Sequence, residues 1–135
     1  MPSSSWALQQ SIFATLGADA ALTGLLGGAR VFDDVPQASP FPYLTFGQSV
    51  VRDWSTGSED GSEHILTLHV WSQGKGKKEA HEIMGAIRDA LHDQALTLSG
   101  HRLVNLRHEL SEARREPDGD TTHGIVRYRA VTEPA

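Results

Sequence analysis

Tyr43-Leu44-Thr45-Phe46-Gly47-Gln48-Ser49-Val50-Val51, a polar tip from Ser55 to Gly61, and His64-Ile65-Leu66-Thr67-Leu68-His69-Val70-Trp71-Ser72 together decide the fold. Alternation in both runs has the two-residue period of a strand. The Gly-containing tip supplies the turn, so the stretch predicts a long antiparallel hairpin, Tyr43 to Trp54 and Glu63 to Ser72. Leu44, Phe46 and Val50 share one face of the first strand. In the second strand His64, Leu66, Leu68 and Val70 oppose Ile65, Thr67, His69 and Trp71. Bulky apolar groups on both sides predict that one face meets helices and the other a partner or second layer.

Downstream, Gly74-Lys75-Gly76-Lys77 reads as a turn, and Lys77 to His92 as the best helix of the chain. Its stripe is Ala80, Ile83, Met84, Ile87 and Leu91, with charges mostly off it, as on a solvated helix face. Two more strands follow. Arg102 to Leu110 alternates Arg102, Val104, Leu106, His108 and Leu110 against Leu103, Asn105, Arg107 and Glu109. Glu116-Pro117-Asp118-Gly119-Asp120 is a turn by its chemistry. Thr121 to Val131 places Val126, Tyr128 and Ala130 on one face, with Ile125, Arg127 and Arg129 on the other.

Upstream, Ser3, Ser4 and Ser5 offer caps for a first helix ending at Gly17, with Leu8, Ile12, Phe13 and Leu16 on one face. Asp19 caps a second, Ala20 to Leu26, which turns Leu22, Leu25 and Leu26 inward and stops at Gly27-Gly28. Arg30 to Phe32 is a short strand. Asp33 to Pro42 is irregular: Pro36, Pro40 and Pro42 donate no ladder hydrogen bonds and stiffen it. It is either an ordinary connector or a contact surface that holds its shape. The order predicts an α+β fold, a mainly antiparallel sheet of about four to five strands with helices packed on one face.

The 135 residues support a single domain, residues 1–135, which buries about two-thirds of its surface on folding. The absence of cysteine excludes a disulfide framework, a thiolate metal site and a Cys nucleophile. A net charge of −5 argues against broad non-specific nucleic-acid binding. No segment has the length and apolarity of a membrane span, and no leader pattern stands at the start, so the chain reads as soluble and cytoplasmic.

Seven histidines raise a metal hypothesis. His64 and His69, five apart, point to opposite faces of a strand, as do His101 and His108, seven apart. His81 and His92 lie about 16 Å apart along a helix. Only a cross-strand site, His69 with His108 or His123, stays open. There is no Gly-x-Ser-x-Gly elbow and no complete phosphate loop. The carboxylate pairs Asp33-Asp34 and Glu59-Asp60 lie in loops where turn and cap roles suffice. No catalytic residue, metal ligand or cofactor site emerges, and the chain reads as not an enzyme.

Arg102, Arg107, Arg114, Arg115, Arg127 and Arg129 crowd the last third. Pairing of the last two strands brings Arg107 near Arg127 or Arg129, so acidic partners are needed. These are internal, Glu109, Glu112 or Glu116, or they lie on another subunit or nucleic acid. The candidate interface residues are thus Asp33, Asp34, Pro36, Pro40 and Pro42 in the stiff loop, Trp54, Glu59 and Asp60 at the hairpin tip, and Arg107, Arg114, Arg115, Arg127 and Arg129.

Three segments in order carry a resemblance: Phe32 to Gln37 with Phe41-Pro42-Tyr43-Leu44; Leu66 to Ser72 followed by the Lys77–Leu91 helix; and Asp118 to Arg129. The set, spanning Trp6 to Val131, resembles the tail-completion, or tail terminator, proteins of long-tailed phages and phage-derived gene transfer agents. The resemblance implies a homo-oligomer, a hexameric ring that caps the tail tube protein and meets the head-completion (stopper) proteins. It implies transient passage of DNA through the channel, no membrane partner, assembly in the host cytoplasm, and residence in a virion or gene-transfer-agent particle. It brings no catalytic residues. The alternatives are a head-completion or adaptor connector, a small metal-dependent hydrolase using cross-strand histidines, and a ligand- or nucleic-acid-binding module.

Overall fold

The computed structural model describes residues 3–74 and 76–135. The expectations for the start of the chain and for the Gly74–Lys77 turn therefore fall partly outside the described residues, at Met1, Pro2 and Lys75. The described elements are α1 (Ser4–Ala18), α2 (Ala20–Leu26), β1 (Val31–Phe32), β2 (Tyr43–Asp53), β3 (Ser62–Ser72), α3 (Lys78–Leu91), β4 (Thr97–Leu98), β5 (His101–Arg115) and β6 (Thr122–Pro134). The fold is α+β. Its sheet has the order β1-β2-β3-β6-β5-β4, antiparallel except for β1 beside β2. Six strands stand where four to five were expected, because Val31–Phe32 and Thr97–Leu98 each add a two-residue strand at an edge.

Local chemistry sets the helix ends. The Ser3 hydroxyl accepts from the Trp6 amide at 3.1 Å, and the Asp19 carboxylate accepts from the Leu22 amide at 2.9 Å. Gly27, at φ 79°, takes the left-handed turn that ends α2. α1 runs one residue past Gly17 to Ala18, because Asp19 ends it and caps the next helix.

All three helices lie on one face of the sheet. The stripe Ala80, Ile83, Met84, Ile87 and Leu91 of α3 is buried with Leu66, Leu68, Val70, Leu106, Val126, Tyr128 and Ala130 beneath it. α1 adds Leu8, Ile12 and Leu16; α2 adds Leu22 and Leu26. Two inward expectations are corrected. Phe13 is 49% exposed and Leu25 is 36% exposed, since both lie on the flank of their stripes.

Bulges in β2 and β5 correct several face assignments. Phe46 faces Leu68 and Ser49 faces Leu66, so Gly47 and Gln48 share the space opposite one residue. Val50 therefore leaves the Leu44 and Phe46 face and is exposed. A Cβ on Gly47 would overlap the His69 ring. In β5, the shift at Val104 brings Leu103 to the same face as Leu106 and leaves Val104 exposed, and the shift at Glu109 turns Leu110 to the opposite face. The first of them also puts His101 and His108 on one face, against expectation, though far apart along the strand.

The sheet has two long unpaired edges. β1 covers only Leu44 and Thr45 of β2, and β4 covers only His101 and Arg102 of β5.

Candidate interaction surface

The uncovered face is built by the residues that alternate with the core. β2 contributes Tyr43, Thr45, Val50 and Arg52. β3 contributes Glu63, Ile65, Thr67, His69 and Trp71. β6 contributes His123, Ile125, Arg127, Arg129 and Val131, and β5 contributes Arg107, Leu110, Glu112 and Arg114. Of the candidate arginines, Arg107, Arg114, Arg127 and Arg129 come together here. Arg115, opposite Thr122, leans to the helix side and donates to the Gly119 carbonyl at 3.2 Å.

Arg107 lies directly opposite Arg129 across the ladder. Each like charge has its own acid: Arg107 reaches Asp93 at 3.2 Å and Arg129 donates to Glu63 at 2.6 Å. Arg52 also binds Glu63, so two guanidiniums clamp one carboxylate and hold its pKa below the ordinary value. The Arg129 guanidinium stands 5.2 Å from the centroid of the Trp54 ring. Arg114 approaches Glu116 at 3.8 Å, the one expected acid that is used. Among the described residues Arg127 makes no ion pair, and it is exposed.

A chain of polar rings crosses the other end of the face. His69 Nδ1 is 2.7 Å from His123 Nε2, and His123 Nδ1 is 2.8 Å from Glu116 Oε1. Trp71 stacks on His123 at 4.0 Å and 12°. This is one of the two cross-strand pairs that the sequence left open. Its facing nitrogens are spent on each other. Among the described residues no three His, Cys, Asp or Glu side chains are grouped to hold a metal. Burial, with His123 and Arg114 nearby, lowers the His69 pKa, and burial, with His101, lowers that of His64.

The remaining candidates form two separate loops. At the tip, Trp54 N–H donates to the Gly61 carbonyl, and Ser55 Oγ links Asp53 to Gly61, so Glu59 and Asp60 project from an internally bonded turn. In the stiff loop, Asp33 accepts from Gln9 at 2.9 Å, Arg30 holds the Phe41 carbonyl at 3.2 Å, and Phe41–Pro42 is cis. Asp34, Pro36 and Pro40 are exposed, and Pro42 is half-buried.

Sequence reasoning missed a groove of about 370 Å³ between α1 and the sheet, lined by Trp6, Gln9, Gln10, Phe13, Asp33 and Phe46. The seven-residue spacing of Trp6 and Phe13, two aromatics on one helix flank, is the signal that would have marked it. Glu63 was also missed. It stands just outside the alternating apolar run, and only the paired strands reveal its two arginines.

One sheet face is spent on a core, and the other is rich in arginine and open. The chain belongs to the tail completion protein gp17 family, whose model matches residues 10–133. This is a family of structural virion proteins. The tail completion protein gp17 of Bacillus phage SPP1 is 28% identical over 100 residues, 74% of each chain. A chain of the virion of the native gene transfer agent particle superposes with a TM-score of 0.88 at 32% identity, covering 98% of this chain and 99% of that one. The structure of the bacteriophage SPP1 gp17 protein gives 0.61 at 25% identity, covering 93% and 88%.

Proposed function

We propose that the protein is a tail terminator, a structural part and not an enzyme. Copies close into a six-membered ring at the head-proximal end of a phage or gene-transfer-agent tail. The ring caps the tail tube, stops its growth and presents a surface to the head-completion proteins, and DNA crosses its channel. The observation that carries this reading is the near-complete match to a chain of the gene transfer agent virion. The surface supports it physically. A ring requires a heterologous contact, two different patches on one subunit that fit each other, and the open face and free edges offer such patches. A charge of −5 on each copy suits a conduit that DNA traverses without sticking.

Electron micrographs of particles made without the gene test the reading. A terminator's loss gives tails of unregulated length. Finished tails of normal length lying unjoined to heads would instead assign the protein to the head connector.

A further inference from the structure

We propose that neighbouring copies join edge to edge, the free half of β2 in one copy pairing antiparallel with the free half of β5 in the next, to make one continuous sheet around the ring. The inference rests on the ring reading above and names the surface that would build it.

Alternate residues of a strand direct their backbone groups to opposite sides. Trp54 N–H bonds to Gly61 across the hairpin, so Arg52 and Val50 also point inward to β3. The amides and carbonyls of Ser49, Val51 and Asp53 therefore point out of the sheet. On β5, Glu116 N–H bonds to Thr121, so Arg114, Glu112 and Leu110 point inward to β6. Ser111, Ala113 and Arg115 point outward. Further back this edge is already occupied: the Leu106 carbonyl accepts from the Asp93 amide, and the His108 amide donates to the His92 ring. Three outward residues on one edge thus match three on the other.

Set antiparallel, Ser49 faces Arg115, Val51 faces Ala113 and Asp53 faces Ser111, each pair able to exchange two hydrogen bonds. The side chains between them fit as well. Arg52 comes beside Glu112, an opposite-charge pair, and Trp54 beside Leu110. Trp54 is 50% and Leu110 39% exposed in the single chain, and Val51 is 46% exposed. An open, partly apolar edge is a surface that soluble proteins normally blunt, and the bulges of β2 and β5 lie outside the stretches paired here.

The offset of the two edges also fits closure. Val51 is level with Leu106 across the sheet, so joining it to Ala113 of the next copy shifts that copy along the strands. Allowing for the bulge at Glu109, the shift is about six residues, or about 20 Å. The four long strands between span about 19 Å at the usual spacing. The resulting lean is about 45°, within the range that closed sheets adopt.

The test uses the natural lack of cysteine. Particles carrying Val51→Cys with Ala113→Cys are oxidised and run on a non-reducing gel, beside each single substitution. Directly opposed residues lie about 5.5 Å apart at Cα, within disulfide reach, whereas neighbours one pair along do not. The double substitution is expected to give a covalent ladder, and the single ones none. Amide exchange on the unaltered protein gives a second reading: Ser49, Val51, Asp53, Ser111, Ala113 and Arg115 slow at least tenfold in particles relative to the free chain. Several copies per particle with no ladder and unchanged exchange would overturn the edge pairing and leave the ring intact. One copy per particle would remove the ring, and this inference with it.

Discussion

The two faces of the same strands have opposite fates. On β3, His64, Leu66, Leu68, Val70 and Ser72 are buried beneath the helices, while Ile65, Thr67, His69 and Trp71 are only half-covered. On β6, Val126, Tyr128 and Ala130 are sealed, while Arg127 stands in solvent between Ile125 and Arg129. Backbone and register are shared, so the difference comes from side chains and from which side the helices take. The covered face supplies the burial that makes a small chain fold. The open face and the two edges are then free for contacts with other chains.

The contrast is testable by substitution, and the largest effect belongs to the covered face. Ile87→Ala or Met84→Ala is expected to lower stability by about 2–5 kcal/mol, read by chemical denaturation. A loss below about 1 kcal/mol would show that α3 is not clamped on the sheet.

Acid should act next, chiefly through His64 on the same face. His64 is fully buried, and burial together with His101 lowers its pKa, so the folded state holds it neutral. The unfolded chain takes up that proton as pH falls below about 6.5. The stability from His64 is complete above that pH and declines as pH drops toward the folded value, and His69 and His108 are shifted the same way. The carboxylates with lowered pKa, Asp53, Glu63 and Asp118, act only in a more acidic window. Melting midpoints should therefore fall between pH 7 and pH 5.5. A midpoint that rises over this interval would contradict the burial of neutral histidine.

Smaller still is Tyr128→Phe. The ring is sealed, its hydroxyl has no hydrogen-bond partner among the described residues, and burial raises its pKa strongly. Removing the hydroxyl should leave stability unchanged or raise it by up to about 1 kcal/mol, because an unpaired buried polar group costs free energy. A loss above about 1 kcal/mol would mean that the hydroxyl is bonded. Arg127→Ala, on the open face, should shift stability by less than about 0.5 kcal/mol. Its consequence, if any, is expected in particle yield, and a large melting shift would erase the distinction between the faces.

Most of the fold was legible because periodicity records burial. The alternation of His64 to Trp71 sorted the two faces of β3 without saying which the helices take, and the stripe from Ala80 to Leu91 named the buried side of α3. What stayed hidden was register. Gly47 inside the strand pattern is a hint of a bulge, but it does not give the register, so Val50 was placed on the wrong face. Val104 and Glu109 broke the β5 alternation silently. The surface was less legible than the core. The arginines of the last third were visible as a crowd, but their partners, Glu63 and Asp93, come from distant segments that only pairing and packing bring close. His69 and His123 are 54 positions apart and meet only because β3 lies beside β6.

As proposed, this small chain works as one part of a closed ring at the tail. The mass of the complex released intact from particle tails tests it most directly. A six-membered ring requires about six times the 14.7 kDa chain. A mass corresponding to a single copy would contradict it.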